Sequence, residues 1–414
     1  MSPGAVPRER RLAALVVNYN SGAFAVGCVR SLIAEWAAAG RPRETLDLVL
    51  VDNRSPRDQS AYLAEIESLG VRVVRSEENL GYAGGINLAY AQTRGAPEDF
   101  VAILNPDLYF LPGSVEPLLE YLATHPECGA VDPRATIDPG QVFNLPRNLM
   151  PTPWDVLLLN LSHRFARVGR YYAARRVRLS MAWWVDPGAV ESDFLSGACI
   201  FLRRGVVEQL GRPMDPRFPL YFEDTDLFRE LSHRGYRLMH VNRSSVLHHW
   251  SRSSGAGDEF EAGEGARRYK ISSRLFYEKH YGRLLAALVR RINTLGQRWA
   301  ARGVAPIHPI ASLGLVDDGP RLEFDRPRRF LVELGLTPNW LVAAAAVGEG
   351  QSWRCPPEAW AWLFPGRYFL RALDRDSGAV LGAFEVFKST PGRSEPVTPA
   401  ELESLAARPL AASG

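Results

Sequence analysis

Acidic and amide residues at the ends of apolar runs are the places in this chain where chemistry could occur. In Val101-Ala-Ile-Leu-Asn-Pro-Asp-Leu108, an apolar β-branched run is stopped by Asn105-Pro106 and followed at once by Asp107. Proline cannot extend a hydrogen-bonded ladder, so the pattern predicts a buried parallel strand with a carboxylate just past its carboxyl end. Open α/β sheets bind ligands at that edge. Asp107 is therefore a candidate metal or ligand contact, with a solvated turn or helix cap as the alternative. Leu220-Tyr-Phe-Glu-Asp-Thr-Asp-Leu-Phe-Arg229 places Glu223, Asp224 and Asp226 in the first turn of a helix. Three acids there suit the helix dipole, yet the apolar Tyr221 and Phe222 before them could raise a carboxyl pKa toward that of a general base. His248-His249 follows a strand without a recognised zinc spacing. Glycines 81, 84 and 85 in Glu78-Asn-Leu-Gly-Tyr-Ala-Gly-Gly-Ile-Asn87 open a helix, either for close packing or to admit an anion. Their spacing fits neither a dinucleotide fingerprint nor a P-loop.

The elements that must position these residues alternate in type. Leu12 to Val17, Leu46 to Val51, Val71 to Val74 and the Val101 run read as strands. Helical patterns lie between them, giving βαβ units with right-handed crossovers. Strand character returns at Ser196 to Leu202. Two further strands are expected, at Arg237 to Val241 and around Val246-Leu247, and helices from 266 to 300. From about Pro306, short alternating segments around Asp376-Ser-Gly378 predict a small all-β domain of sandwich type.

Composition sets outer bounds. A 46% hydrophobic and 23% charged chain with net charge +3 is globular and carries no general affinity for nucleic acid. Four scattered cysteines, Cys28, Cys128, Cys199 and Cys355, read as buried apolar residues of a reducing compartment. Met1 to Arg11 lacks the apolar core of a signal peptide, and no apolar run approaches a membrane span. The expected location is cytoplasmic. The stretch Trp154 to Trp184 mixes leucines and aromatics with Arg164, Arg167, Arg170, Arg175, Arg176 and Arg178. It suits peripheral contact with anionic lipid at the inner face of the plasma membrane, or alternatively an active-site flap with a basic outer face.

Four blocks taken in order, over residues 11 to 285, resemble family 2 glycosyltransferases, and within them the rhamnosyltransferase-like branch of bacterial surface-polysaccharide synthesis. They are Val16-Val-Asn-Tyr-Asn-Ser21, the Glu78–Asn87 stretch, Leu104-Asn-Pro-Asp-Leu108, and Ser196-Gly-Ala-Cys-Ile-Phe-Leu-Arg203 with Tyr221-Phe-Glu-Asp-Thr-Asp-Leu227. The resemblance implies a GT-A fold, an α/β domain with a mostly parallel sheet flanked by helices. The resemblance does not reach past residue 306, and with the strand pattern beyond it the expected domains are a disordered 1–10, a GT-A domain over 11–303 that includes the basic insertion 151–184 and a helical tail 265–303, a β-sandwich-like domain over 304–390, and a flexible 391–414. The resemblance also assigns roles. Tyr19 stacks on the nucleobase and Asp52 receives its ring N–H, with Asn20, Asn53, Gly84, Asn87 and Asn105 around the nucleotide. Asp107 and His248 hold Mg²⁺ or Mn²⁺, Asp224 is the catalytic base, and Glu223, Asp226 and Gly197 surround the acceptor. The implied activity is inverting transfer of a sugar, rhamnose in the first instance, from a nucleotide sugar (dTDP-rhamnose or a UDP-sugar) to a saccharide or polyprenyl-linked glycan. A non-catalytic nucleotide-sugar or carbohydrate-binding protein is the alternative. It would have no use for a base.

Overall fold

The computed structural model describes residues 9–249 and 259–391, with side chains in the second stretch described from residue 265. The expected disordered start and flexible tail fall, but for residues 9, 10 and 391, outside the described residues.

Leu12–Asn18 (β1) is buried along its whole length, as an unbroken apolar run requires when both faces of a sheet are covered. Helix Gly22–Ala38 (α1) leads to Leu46–Asp52 (β2), and Ser60–Ser68 (α2) to the edge strand Arg72–Arg75 (β3). Gly81–Ala91 (α3) then packs on β1 and β2 before Phe100–Leu104 (β4). A Cβ on Gly85 would lie 2.8 Å from Val17 Cγ2, which is why that helix face needs a glycine. Next come Leu108–Phe110 (β5), Glu116–Thr124 (α4) and Cys128–Thr136 (β6). Helices Pro153–Ser162 (α5) and Ala166–Val185 (α6) follow, then Ala189–Ser192 (β7), Cys199–Arg203 (β8), Arg204–Leu210 (α7) and Glu223–His233 (α8). Arg237–His248 (β9), Glu259–Tyr281 (α9) and Arg283–Ala300 (α10) precede the C-terminal strands.

The large sheet runs β3-β2-β1-β4-β8-β6-β9-β5, with β7 added on β9. Strands β3, β2, β1 and β4 are parallel, whereas β8 pairs antiparallel with β4, and β5 with β9. The fold is thus α/β as expected, its parallel half joined to an antiparallel half. The two strands expected between residues 237 and 247 are a single strand, β9. Its polar stretch Asn242 to Ser245 does not interrupt the ladder. The sheet continues through it, with Asn242 and Ser244 buried.

Two compact units emerge: Met1–Arg134, Asn148–Met150 and Pro187–Ala286, and Ala135–Arg147, Pro151–Asp186 and Ala287–Gly414. The basic insertion, expected in the first domain, clusters with the C-terminal strands instead. Those strands, Ala311–Leu315 (β10), Arg321–Gly335 (β11), Ala343–Arg354 (β12), Gly366–Asp374 (β13) and Val380–Lys388 (β14), form one sheet in the order β10-β14-β13-β11-β12. This corrects the expected sandwich. One face packs Phe330, Val332 and Leu370 against Trp360 of the short helix Pro357–Ala361 (α11). The other face meets Ala173 of α6, Ile307 and Trp340. A helix and loops cover this second face, which in a sandwich would meet another sheet. The hairpin expected at Asp376-Ser-Gly378 does join β13 to β14. All four cysteines are buried and unbridged.

Candidate active site

Register places the first group of residues. Asn18 pairs with Asp52 across β1 and β2, and Leu104 lies opposite Val16 across β4, so the chain ends after β1, β2 and β4 converge on one edge. Asp52 Oδ1 accepts hydrogen bonds from Asn18 Nδ2 and Ser55 Oγ, both at 2.7 Å. Tyr19 and Asn20 are half-buried at the same edge. A cleft of about 300 Å³ opens there, lined by Asp52, Ser55, Arg57, Gln59 and Arg75 among others. A second cleft, of about 400 Å³, lies at the opposite, amino ends of the strands around Arg11, Asp47 and Arg72, away from these residues.

Two amides expected to touch a nucleotide are engaged elsewhere. Asn53 donates to the Gly81 carbonyl at 3.0 Å and accepts from the Leu80 N–H at 2.9 Å. Asn87 donates to the Met214 carbonyl at 2.8 Å and accepts from the Met214 N–H at 3.1 Å. Both fix loops. Gly81 adopts φ +72°, and a Cβ on it would lie 2.5 Å from the Pro219 carbonyl oxygen, so the turn tolerates only glycine. Gly84 is one turn into α3, where a Cβ would lie 2.8 Å from Leu80 Cβ.

Asp107, 1% exposed, sits between β4 and β5. Leu108 pairs with His248, which brings the imidazole of His248 beside Asp107, with Nε2 3.5 Å from Oδ1. The His249 N–H donates to the Asp107 carbonyl at 2.9 Å. Burial pushes the Asp107 carboxyl up, but His248 and His249 outweigh it and hold the group below its ordinary value. One carboxylate oxygen and one imidazole nitrogen converging this closely would suit a divalent cation such as Mn²⁺ or Mg²⁺.

The second carboxylate group stands on strained backbone. Tyr221 and Phe222 have φ of 64° and 67°, a region costly for bulky side chains. Phe222 is held there by Tyr269, Phe276 and Tyr277 of α9, at ring distances of 5.4, 5.3 and 6.2 Å. Glu223 and Asp224 then open α8. Asp224 Oδ1 accepts from the Thr225 N–H at 2.6 Å and the Thr225 hydroxyl at 3.1 Å. Its Oδ2 lies against Gly197, where a Cβ would come within 2.0 Å. Burial raises both carboxyls, and for Glu223 the charge of Asp224 adds to it, to about 8. Glu223 Oε2 is buried without a hydrogen-bond partner.

Chain geometry links the two carboxylate groups. Gly197 touches Asp224, the next residue's carbonyl, that of Ala198, accepts the Asn105 N–H at 2.8 Å, and Asp107 follows two residues on. Tyr82, between Gly81 and Ala83 of α3, has a buried hydroxyl without a hydrogen-bond partner. Burial raises its phenol well above the ordinary value, and the charges of Glu223, Asp224 and Asp107 add to the effect. One hydroxyl therefore senses all three acids.

Asp226 behaves differently from its neighbours. It is tied to Lys279 Nζ at 2.8 Å and His280 Nε2 at 2.7 Å. Asp226, Glu230 and His280 have donor atoms within 4.8 Å of one another, but Lys279 lies between the carboxylates and neutralises them. Residue typing also missed Tyr82, Asn18 and the buried Asp132–His240 pair. Asp132 joins His240 Nδ1 at 2.8 Å and accepts the Ser196 N–H at 2.8 Å, anchoring the loop that carries Gly197. Backbone strain is the stronger signal. Of six described non-glycine residues with positive φ, Asn20, Arg54, Tyr221 and Phe222 adjoin or belong to the expected site.

Residues 14–181 match the family model described as Glycosyl transferase family 2. The chain carries a family 2 glycosyltransferase domain. It is 28% identical over 300 residues to the N-acetylglucosaminyl-diphospho-decaprenol L-rhamnosyltransferase of Mycobacterium tuberculosis, strains CDC 1551 and H37Rv, covering 70% of this chain and 89% of that protein. The resemblance read from the four blocks, to rhamnosyltransferase-like members of family 2, therefore holds. Among solved structures it is similar to the mannosyltransferase PcManGT from Pyrobaculum calidifontis in complex with GDP-Man and Mn²⁺. That match has TM-score 0.42 and 15% identity, over 73% of this chain and 79% of the other. It is also similar to GalNAc-T7 with UDP, GalNAc and Mn²⁺, with TM-score 0.43 and 14% identity, over 91% and 72%.

Proposed function

We propose that this glycosyltransferase transfers rhamnose, with inversion, from a nucleoside diphosphate carrier to a polyprenyl-linked glycan. The observation that carries the reading is the continuity from Asp224 through Gly197, Ala198 and Asn105 to Asp107 and His248. Asp52 receives the ring N–H of the base and Tyr19 stacks on it. Asn53 and Asn87 act one step back, by holding the α3 entrance and the Met214 loop. Asp107 and His248 would hold a divalent cation, which when bound neutralises the charge of the departing diphosphate.

Asp224 takes the proton of the acceptor hydroxyl. With Oδ1 fixed by Thr225, Oδ2 is the atom left for the acceptor, and burial makes it a better base than an exposed aspartate. Glu223 keeps its proton beside an ionised Asp224, so the pair offers one base and no second ionised nucleophile. Direct displacement with a single base inverts the anomeric centre. The rhamnosyl group and the lipid-linked acceptor are supported by the mycobacterial relative, whose name gives the sugar transferred and the acceptor.

The test is transfer from dTDP-rhamnose and from UDP-sugars to a polyprenyl-diphosphate-linked N-acetylglucosamine, with Mg²⁺, Mn²⁺ or a chelator. Metal-dependent transfer from dTDP-rhamnose is expected. Undiminished transfer in chelator removes the metal assignment, and turnover of UDP-sugars alone removes the rhamnosyl one.

A further inference from the structure

Helix α10 has two faces that do not match in purpose. Its inner face is set by Val289, Asn293 and Gly296. A Cβ on Gly296 would lie 1.5 Å from Asn160 Oδ1, and Asn160 Nδ2 donates to Asn293 Oδ1 at 2.9 Å, so α5 and α10 meet without a gap. The opposite face follows positions 284, 288, 291, 295 and 298, with 302 in the turn beyond, at the three-and-four spacing of one helical stripe. Leu284, Leu288 and Leu295 on it are 92%, 51% and 46% exposed. Arg291, Arg298 and Arg302 alternate with them and are exposed too. Residues 283–302 contain five arginines and no acidic residue. Among the described residues, Arg290, Arg291, Arg298 and Arg302 form no ion pair.

The surface continues onto the turn before α6. Phe165, 48% exposed, meets Trp299 edge-on at 6.2 Å, and Arg164 and Arg167 flank it. The middle of the basic segment is otherwise engaged. Arg175 pairs with Asp155 at 2.5 Å, Arg170 donates to the Ile307 carbonyl, and Arg176 to the Arg147 carbonyl. The docking face anticipated for 154–184 thus shifts to α10 and the α5–α6 turn.

We infer that the outer face of α10, with Phe165, Arg164 and Arg167, docks this enzyme on an anionic lipid bilayer. The leucines and Phe165 enter the acyl boundary while the arginine heads stay among lipid phosphates. A second copy of the chain fits less well. Apposing two such stripes would bury arginine against arginine with no carboxylate to compensate. Among the described residues no helix is long and apolar enough to cross a membrane, so contact would be lateral. The inference deepens the polyprenyl-acceptor reading, because such a substrate lies at a bilayer surface.

The test is co-sedimentation of the full chain with phosphatidylcholine vesicles, with and without one-third phosphatidylglycerol. Binding is expected only to the anionic vesicles, and salt should reverse it. Leu288→Gln with Leu295→Gln should lower partition roughly tenfold, and Arg291→Gln with Arg298→Gln about fivefold per arginine. Unchanged thermal unfolding would show that these outward substitutions leave the fold intact. No binding at low salt, equal binding by all variants, or a concentration-dependent dimer abolished by the leucine pair would overturn the proposal. Asp224→Asn should bind vesicles as the wild type does, so loss of transfer and loss of docking are read separately.

Discussion

Glu223 and Glu333 are buried to similar degrees, 6% and 3% exposed, yet their surroundings are opposite. Glu333 accepts Arg371 Nε at 2.7 Å, and the guanidinium lies 5.1 Å from the Trp340 ring centre. Its charge is compensated and its geometry closed. Among the described residues Glu223 faces no cation. Its neighbour is another acid, its Oε2 has no hydrogen-bond partner, and its backbone follows two residues in the left-handed region. Burying a carboxyl in this way is destabilising, and such arrangements persist where they serve chemistry. Burial alone does not distinguish a structural acid from a working one. The missing counter-charge is what makes Glu223 a candidate for the second kind.

The largest effect should come from Asp224→Asn. Turnover should fall by ~10²–10⁴ in a transfer assay, while thermal stability holds or rises, since an uncompensated acid becomes neutral. A large loss of stability would put Asp224 in the same class as Glu333. Arg371→Ala should do the reverse. It leaves Glu333 buried and alone, costing ~3–5 kcal/mol by denaturant unfolding of the C-terminal unit. A neutral outcome would remove the contrast between the two sites. Gly197→Ala comes next, since its methyl group would displace Asp224 Oδ2. Turnover should fall by roughly 10² with nucleotide affinity preserved by calorimetry.

The smallest effect concerns pH. Asp224 ionises first, and Glu223 holds its proton until about 8 because burial and the neighbouring charge raise it. Between the Asp224 and Glu223 titrations the pair carries one charge, and above the second it carries two. Activity should therefore decline as pH rises through the Glu223 titration. Glu223→Gln, a neutral isostere, should keep the acidic limb of kcat/KM and lose the alkaline one. An alkaline limb that survives the substitution would assign it to another group.

Much of the parallel half was legible in sequence because its signals are local. Runs such as Leu12 to Val17 and Val101 to Leu104 are short, apolar and β-branched, as buried strands are, and Asn105-Pro106 marks where one must end. The positions of Asp107 just past β4 and of Asp224 at the start of α8 were legible for the same reason, each adjoining a recognisable stop or start. What escaped depends on distant partners. Asn53 and Asn87 have the residue type that binds nucleotides, but their amides are occupied by Gly81, Leu80 and Met214. The hydroxyl of Tyr82 matters only because Glu223 and Asp224 arrive from far along the chain. The single C-terminal sheet read as a sandwich because its strands alternate on two buried faces. No local pattern reveals that α6 covers one of them.

Anomalous diffraction from crystals grown with Mn²⁺ and a nucleoside diphosphate tests the central claim most directly. The account predicts a manganese peak bonded to Asp107 and His248, with the carboxyl of Asp224 opening onto the same cleft. A peak held instead by Asp226, Glu230 and His280, or none beside a bound nucleotide, would contradict it.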